Sequence, residues 1–138
     1  MGLKGEIFMK NYQIFNAYPT LMKFADLNYN DYDVNLNIAL MLNDVTTRYN
    51  IISSMIRKLN DEYCMVDENG RLKMNGGAPL MKPGKSYDEY EAEMQKISDG
   101  DANYAPEKIV INRHSFRGVL PSPKEILQVQ DFITFTKE

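Results

Sequence analysis

Acidic and amide side chains alternate in two short segments, with the spacing that calcium-binding loops use. Such a loop needs oxygen ligands at positions one, three and five, glycine at six and glutamate at twelve. In "MVDENGRLKMNG", Asp67, Asn69 and Gly70 fit the inner positions, but Met65 and Gly76 stand where the first and last ligands belong. The segment "DGDANY" has a tyrosine in place of the required glycine. We therefore predict turns at both places, and no metal ligands.

The segment "PLMKPGKS" ends in Gly-Lys-Ser, as a phosphate-binding P-loop does. That motif requires a glycine where Pro79 stands, and proline lacks the N–H group that would hold a phosphate oxygen. Lys85, next to a helix N-terminus, could still hold an anion, but Ser86 is better explained as a helix cap. We predict no cofactor, and nucleotide or anion binding is the weakest of three functional hypotheses.

The remaining reactive side chains give no catalytic set. The only histidine is His114, in the basic segment "INRHSFRG", and the only cysteine is Cys64. A histidine without an identified acid or nucleophile makes no catalytic triad, so the segment is a small basic recognition patch or, as we favour, a strand end with solvated charges. Cys64 is interpreted as a small buried hydrophobe, and Glu89 and Glu93 as surface charge. We predict no catalytic residue and a non-enzymatic protein.

A long helix over residues 34–63 is the clearest element in the sequence. The segment contains no glycine or proline, and apolar residues recur in it with an alternating spacing of three and four, as in a coiled-coil seam. At 1.5 Å per residue this helix is roughly 45 Å long. Either shorter helices of the same chain cover the seam, or part of it stays open for a second subunit or a partner, which we favour. The seam residues, and thus the possible interface, are Ile38, Leu42, Val45, Tyr49, Ile52, Ile56 and Leu59.

Shorter elements complete an α+β, mainly α fold. A helix capped by Asn16 precedes the long helix, and Asn69-Gly70 predicts a β-hairpin turn. A Gly- and Pro-rich loop over 75–86 leads to a helix capped by Ser86. A short strand is expected near 108–113. The last segment, "PSPKEILQVQDFITF", has the capping box of a terminal helix that runs through the apolar residues at its end.

Composition fits one ordinary domain over residues 9–138, preceded by a possible tag or flexible extension at 1–8. The net charge of −3 and the pI of about 5.2 make nucleic acid an improbable partner. No apolar run reaches the roughly 18 residues of a membrane span, so no membrane partner is expected.

The charge is uneven, because residues 61–107 contain eleven acids and five bases. This excess is either a solvated face or an acidic surface that meets a basic partner. The acidic partner surface would comprise Asp67, Glu68, Asp88, Glu89, Glu91, Asp99 and Asp101.

The order of the segments also carries a family resemblance. "MKNYQIF", "IRKLNDEY…DENGR", "YDEYEAEMQKI", "KIVI" and "SPKEILQVQDFI" follow one another over about residues 9–135. This pattern resembles a family of small uncharacterised proteins from tailed phages and prophages of Gram-positive bacteria. The resemblance implies a phage protein without enzymatic activity, in the cytoplasm of the bacterial host or in the virion.

Three hypotheses follow for the function. The first is a virion-associated or assembly factor that works by protein–protein contact, for which we expect a homo-oligomer or a protein partner. The alternative is a phage-encoded inhibitor of a bacterial defence protein, acting through the acidic surface. Nucleotide or anion binding ranks third.

Overall fold

The structure is a computed structural model that describes residues 8–118 and 120–137. The predicted extension at residues 1–8 therefore lies outside the described residues, apart from Phe8. The described residues are mainly helical with a few short strands, which confirms the α+β, mainly α class. The elements are α1 (Asn11–Ala25), α2 (Tyr32–Tyr63), β1 (Met74–Asn75), β2 (Ala78–Pro79), α3 (Tyr87–Asp99), β3 (Ile109–Asn112), a 3-10 helix (Arg113–Ser115), α4 (Pro123–Gln128) and β4 (Ile133–Thr136).

The chain groups into two compact units, and the single domain expected over 9–138 stays a prediction. The first unit contains the residues up to 49 and those from 101 onward, and the second contains residues 50–100. The long helix α2 was predicted within two residues of its observed start and supplies residues to both units.

In the first unit, α1 buries one face. Ile14, Ala17, Leu21 and Phe24 are spaced three or four apart and all are buried, as expected for one side of a helix. The predicted cap at Asn16 is wrong, because α1 begins at Asn11, more than one turn earlier. The apolar spacing already includes Ile14, so the helix must start before that residue.

The first unit also contains a two-stranded parallel sheet. Strand β3 confirms the strand predicted near 108–113, and it pairs with β4 in the register Ile109↔Ile133 to Asn112↔Thr136. The predicted terminal helix is correct at its start, where Ser122 and Glu125 form the capping box. It is wrong at its end, because α4 stops at Gln128 and "ITFT" forms β4. The alternation of Ile and Phe with β-branched Thr favours a strand, and pairing with β3 buries Ile133.

The second unit packs the end of α2 against α3. Leu59, Tyr63, Cys64 and Tyr90 form its buried cluster, with Leu72, Met81, Met94 and Ile97 packed around them. The predicted cap of α3 is confirmed, because the Ser86 hydroxyl accepts a hydrogen bond from the Glu89 N–H at 3.3 Å. The apolar side of α3 therefore faces the end of α2, and its acidic residues remain outside.

Three turns lie between α2 and α3, and the first two are hairpin turns. At the predicted hairpin turn the chain does reverse, and Val66 pairs antiparallel with Leu72. Of Asn69 and Gly70 only Gly70 has a positive φ, +78°, so the loop has three residues with a final left-handed glycine. A two-residue turn with positive φ at both positions lies at Gly76-Gly77, between β1 and β2. The segment predicted as a long loop thus contains a hairpin.

Candidate functional site

A cleft of about 470 Å³ lies in the first unit. It lies between the end of α1, the connection that follows it and the first half of α2. Leu27, Ile38, Ala39 and Leu42 supply its apolar lining. The α2 residues in this lining are three or four positions apart, so they share one side of the helix.

Polar side chains in the cleft are already used to hold the α1–α2 connection. The Asn35 side-chain oxygen accepts a hydrogen bond from the Tyr29 N–H at 3.1 Å, and its NH₂ donates to the Tyr29 carbonyl at 3.0 Å. The Tyr29 hydroxyl donates to the carbonyl oxygen of Phe24 at 2.8 Å. Burial of this ring raises the pKa of Tyr29 well above its usual range. Asn35 and Tyr29 thus have their hydrogen bonds satisfied inside the chain and fix the shape of the cleft.

Three more polar residues, Thr46, Asp26 and Asn43, complete the lining of the cleft. The Thr46 hydroxyl donates to the Tyr18 hydroxyl at 3.4 Å. Asp26 and Asn43 are exposed at the cleft. A single carboxylate without a paired base, nucleophile or second acid in the lining gives no basis for acid–base or covalent chemistry.

Large apolar side chains are exposed on the flank of this cleft. Leu36 and Leu40 are 41% and 56% exposed, and Leu27 is 39% exposed. Leu36 lies three residues before Ala39 and four before Leu40, so these three side chains are neighbours on the helix surface. We call Leu27, Leu36, Ala39 and Leu40 the leucine face. Leu27 and Ala39 line the cleft, so this exposed apolar group borders a concavity of the first unit.

Of the seam residues predicted as an interface, Ile38 and Leu42 line the cleft, and the other five lie elsewhere. Ile38, Val45, Ile52 and Leu59 are buried in the chain, while Leu42, Tyr49 and Ile56 are partly buried. The Tyr49 ring stacks on the rings of Phe15 and Tyr18, with centroids 5.1 and 4.0 Å away. The chain itself therefore covers the seam, as in the simpler of the two alternatives, and its buried side chains are not accessible to a partner. The heptad pattern identified the inner side of α2, and Leu36 and Leu40, spaced four apart outside it, were the overlooked signal.

The seven acids of the predicted partner surface do not act as one group. Asp101 belongs to the first unit, where it lies 3.0 Å from the Lys10 ammonium. The Asp67 carboxylate accepts the N–H groups of Asn69 and Arg71, at 2.8 and 3.0 Å, and so shapes the turn. Asp99 accepts a hydrogen bond from the Gln95 side chain.

Three of the predicted acids do share one helix end. Asp88, Glu89 and Glu91 are exposed in the first half of α3. Asp88 and Glu89 lie in the first turn, where the helix dipole favours negative charge. Glu68 is exposed beside the turn at Gly70. Of the seven predicted acids, only the three at the start of α3 therefore remain as a shared acidic surface.

The reactive residues weighed from the sequence occupy structural positions. Cys64 is fully buried, and burial raises the pKa of its thiol. Lys85 lies 3.6 Å from a Glu62 carboxylate oxygen and 5.0 Å from the centre of the Tyr63 ring, so its charge has two internal contacts. His114 is exposed, and its carbonyl accepts a hydrogen bond from the Asn30 side chain.

Over residues 8–118 and 120–137, no three histidine, cysteine or acidic side chains are grouped so that they could hold a metal ion. In the same residues, every buried side-chain nitrogen and oxygen has a hydrogen-bond partner. None of the described helices is long and apolar enough to cross a membrane.

Comparison of the chain with models of known protein families, with curated proteins and with solved structures gave no match. The function must therefore be argued from the surfaces of the two units.

Proposed function

We propose that the protein is a non-enzymatic binding protein that acts through protein–protein contacts, and that the leucine face is its principal contact surface. This proposal rests on the difference between the polar groups of the cleft and the leucines next to it. The buried polar groups of the cleft are hydrogen-bonded inside the chain, while the leucines beside it are exposed. Exposed apolar side chains around a concavity favour an apolar anchor from another protein.

A small polar ligand fits this cleft less well. Such ligands are held by a few convergent polar groups with free hydrogen-bonding capacity. The Asn35 side chain is hydrogen-bonded to the backbone of Tyr29, and the Tyr29 hydroxyl is hydrogen-bonded to the Phe24 carbonyl. A ligand competing for them would have to open the α1–α2 connection.

The phage context is a second part of the proposal. It is supported by the resemblance of residues 9–135 to the phage and prophage family, and it makes a virion-associated or assembly role our first choice. The partner would be another virion or assembly protein, or a second copy of this chain.

The proposal is tested by charge placed on the leucine face. We expect Leu36→Asp/Leu40→Asp to lose its partner, because a carboxylate in an apolar contact is desolvated without compensation. The matched control is Leu120→Asp/Leu127→Asp, which makes the same chemical change at leucines 54% and 63% exposed elsewhere in the first unit. Proteins captured by each tagged variant from phage-infected cells are quantified by mass spectrometry.

The expected result is one partner that the unchanged chain and the control variant retain equally and that the leucine-face variant loses by at least about tenfold. Equal retention by all three proteins would contradict the leucine face as the contact surface. Circular dichroism on each variant shows that the loss does not come from unfolding.

The exposed acids of α3 favour one alternative function. Asp88, Glu89 and Glu91 form a compact negative surface that could occupy a basic, nucleic-acid-binding surface of a host defence protein. Association would then weaken with salt, and Asp88→Asn/Glu91→Gln would abolish it while Leu36→Asp/Leu40→Asp would not. Capture that depends on the leucine face but not on these acids would exclude this alternative.

A further inference from the structure

Strand β3 has one side that faces no other strand. The Ile109 N–H donates to the carbonyl oxygen of Phe132 at 3.0 Å, so Ile109 directs its backbone groups toward β4. Successive residues of a strand direct these groups to opposite sides, so Val110 and Asn112 direct theirs away from β4. In the part of the chain that the structure describes, the sheet has two strands, and no backbone hydrogen bond pairs this other side of β3.

The sheet face on which the Val110 side chain lies is reachable from solvent. Val110 is 59% exposed, and Thr134, its partner on β4, is exposed too. Ile111 and Ile133, which point to the opposite sheet face, are buried. The sheet thus has a packed face, a solvated face and a free edge, and a free edge of N–H and C=O groups is a template for one more strand.

The chain segment that contains this edge is basic. Residues 108–124 contain Lys108, Arg113, Arg117 and Lys124 and no acidic residue. Lys108 and Arg113 directly flank β3 and are exposed. Arg117 is exposed as well, and its Nε donates to the Asn30 side-chain oxygen. Three acids lie close by. Glu107 precedes the segment, and Glu125 follows it with its carboxylate 4.0 Å from the Lys23 ammonium. Asp31 follows Asn30, and its carboxylate accepts the N–H groups of Asp33 and Val34.

We propose that the free edge of β3 binds an extended, acidic segment of a partner protein by strand addition. The backbone groups of Val110 and Asn112 would supply the hydrogen bonds, and Lys108 and Arg113 would select for negative charge. This site is separate from the leucine face and does not depend on it.

Charge argues against a second copy of this chain as the occupant. An antiparallel pair of β3 strands related by a two-fold axis would bring Lys108 and Arg113 of both copies into one small area. Like charges across a strand pair are destabilising. An acidic segment removes that repulsion.

Nucleic acid is the other polyanion to consider. Single strands are held by basic grooves together with aromatic side chains on which bases stack. The aromatic ring of this segment, Phe116, packs against Tyr29 and Phe135 instead, with centroids 5.5 and 6.4 Å away. The exposed side of β3 has a valine where a stacking ring would be needed.

The test uses synthetic peptides of about eight residues, the length of an ordinary strand. One fluorescent peptide alternates threonine and glutamate, a second replaces glutamate with lysine, and a third is the acidic peptide with alternate backbone nitrogens methylated. Binding to the full chain is measured by fluorescence anisotropy, and the contacted amides by NMR chemical shifts. An oligothymidine strand is a fourth probe.

We expect the acidic peptide to bind, with the largest shifts at Val110 and Asn112, and the lysine and N-methylated peptides to bind at least about tenfold more weakly. Lys108→Glu/Arg113→Glu should lose the acidic peptide. Arg57→Glu/Lys58→Glu, the same charge change on exposed residues of α2, should retain it.

Four results would each overturn the proposal. They are no binding of the acidic peptide, equal binding of the N-methylated peptide, tighter binding of oligothymidine, and a concentration-dependent dimer that shields the Val110 amide from hydrogen exchange. Each of these outcomes leaves the leucine-face proposal unaffected, since that is tested on Leu36 and Leu40.

Discussion

At the scale of single residues, Tyr90 connects the two helices of the second unit. Its hydroxyl donates to the Asn60 side-chain oxygen at 2.6 Å, and its ring packs against Tyr63 with centroids 6.0 Å apart. Burial is the main reason that the pKa of Tyr90 rises from about 10 to about 12, with the neighbouring Cys64 adding to it. The neutral phenol is therefore favoured in the folded state.

Tyr90→Phe should lower the free energy of unfolding by about 1 kcal/mol, because it removes a hydrogen bond and leaves Asn60 without its donor. The matched control is Tyr87→Phe, since Tyr87 lies one turn earlier in α3 and is 40% exposed. Urea unfolding followed by circular dichroism measures both. A loss for Tyr87→Phe as large as for Tyr90→Phe would contradict the role given to this hydrogen bond.

The same tyrosine predicts an alkaline pH dependence. Because the folded-state pKa is raised, the contribution of Tyr90 to stability is fully present below about pH 10 and is lost as the pH rises through about 12. Tyr90→Phe should therefore reduce the fall in stability over this window without removing it, because burial also raises the pKa values of Tyr29, Tyr104 and Cys64. An unchanged alkaline unfolding curve in Tyr90→Phe would show that another group controls it.

At this scale the sequence alone already argued against a metal site and a phosphate site. The missing ligands at Met65 and Gly76 and the proline at position 79 removed the metal and phosphate hypotheses on general grounds. The sequence could not predict which acidic residues form hydrogen bonds or ion pairs that hold the fold. The role of Asp67 in a turn and of Asp101 beside Lys10 depends on backbone positions that side-chain types do not specify.

At the scale of elements, the long helix shows what periodicity can and cannot predict. The seven-residue pattern located α2 to within two residues at its start and identified its buried side. Periodicity shows which side of a helix is apolar, but it does not show whether that side packs against the same chain or against a partner. Here segments of the same chain provide it, among them Phe15 and Tyr18 of α1 against Tyr49.

Two adjacent isoleucines of α2 test that conclusion. Ile52 is 3% exposed and Ile51 is 56% exposed. Ile52→Asp should cost several kcal/mol of stability because it buries a carboxylate, whereas Ile51→Asp should cost less than about 1 kcal/mol. Thermal unfolding at equal protein concentration checks both, and it is repeated at several concentrations. If Ile52→Asp stayed folded and only changed the oligomeric state, the seam would be an intermolecular interface after all.

Strand β4 is the element that periodicity misassigned. The run from Ile126 to Phe135 is apolar enough for either a helix or a strand, and the correct capping box at Ser122 favoured the helix. The segment 133–136 forms a strand because it pairs in parallel with β3, whose residues lie 24 positions earlier in the sequence. Non-local pairing of this kind overrides local preference and has no short-range signal in the sequence.

At the scale of the whole molecule, each of the two units presents a surface of different character. The first unit carries the apolar leucine face and the basic surroundings of β3, and the second carries the acidic start of α3. The incomplete metal and phosphate motifs led us to expect a binding protein, which stays a prediction. Sequence motifs could not locate the proposed contact surface, since they do not specify which side of α2 the rest of the chain leaves exposed.

Site-specific photo-crosslinking in phage-infected cells tests the central claim, contact through the leucine face, most directly. A benzophenone amino acid replaces Leu40 in one variant and Leu127, exposed on α4, in the control. We predict that illumination joins the Leu40 variant to one protein, either another virion or assembly protein or a second copy of this chain, and that the Leu127 variant gives no such adduct. The absence of a specific adduct at Leu40, or the same adduct from both positions, would contradict the claim.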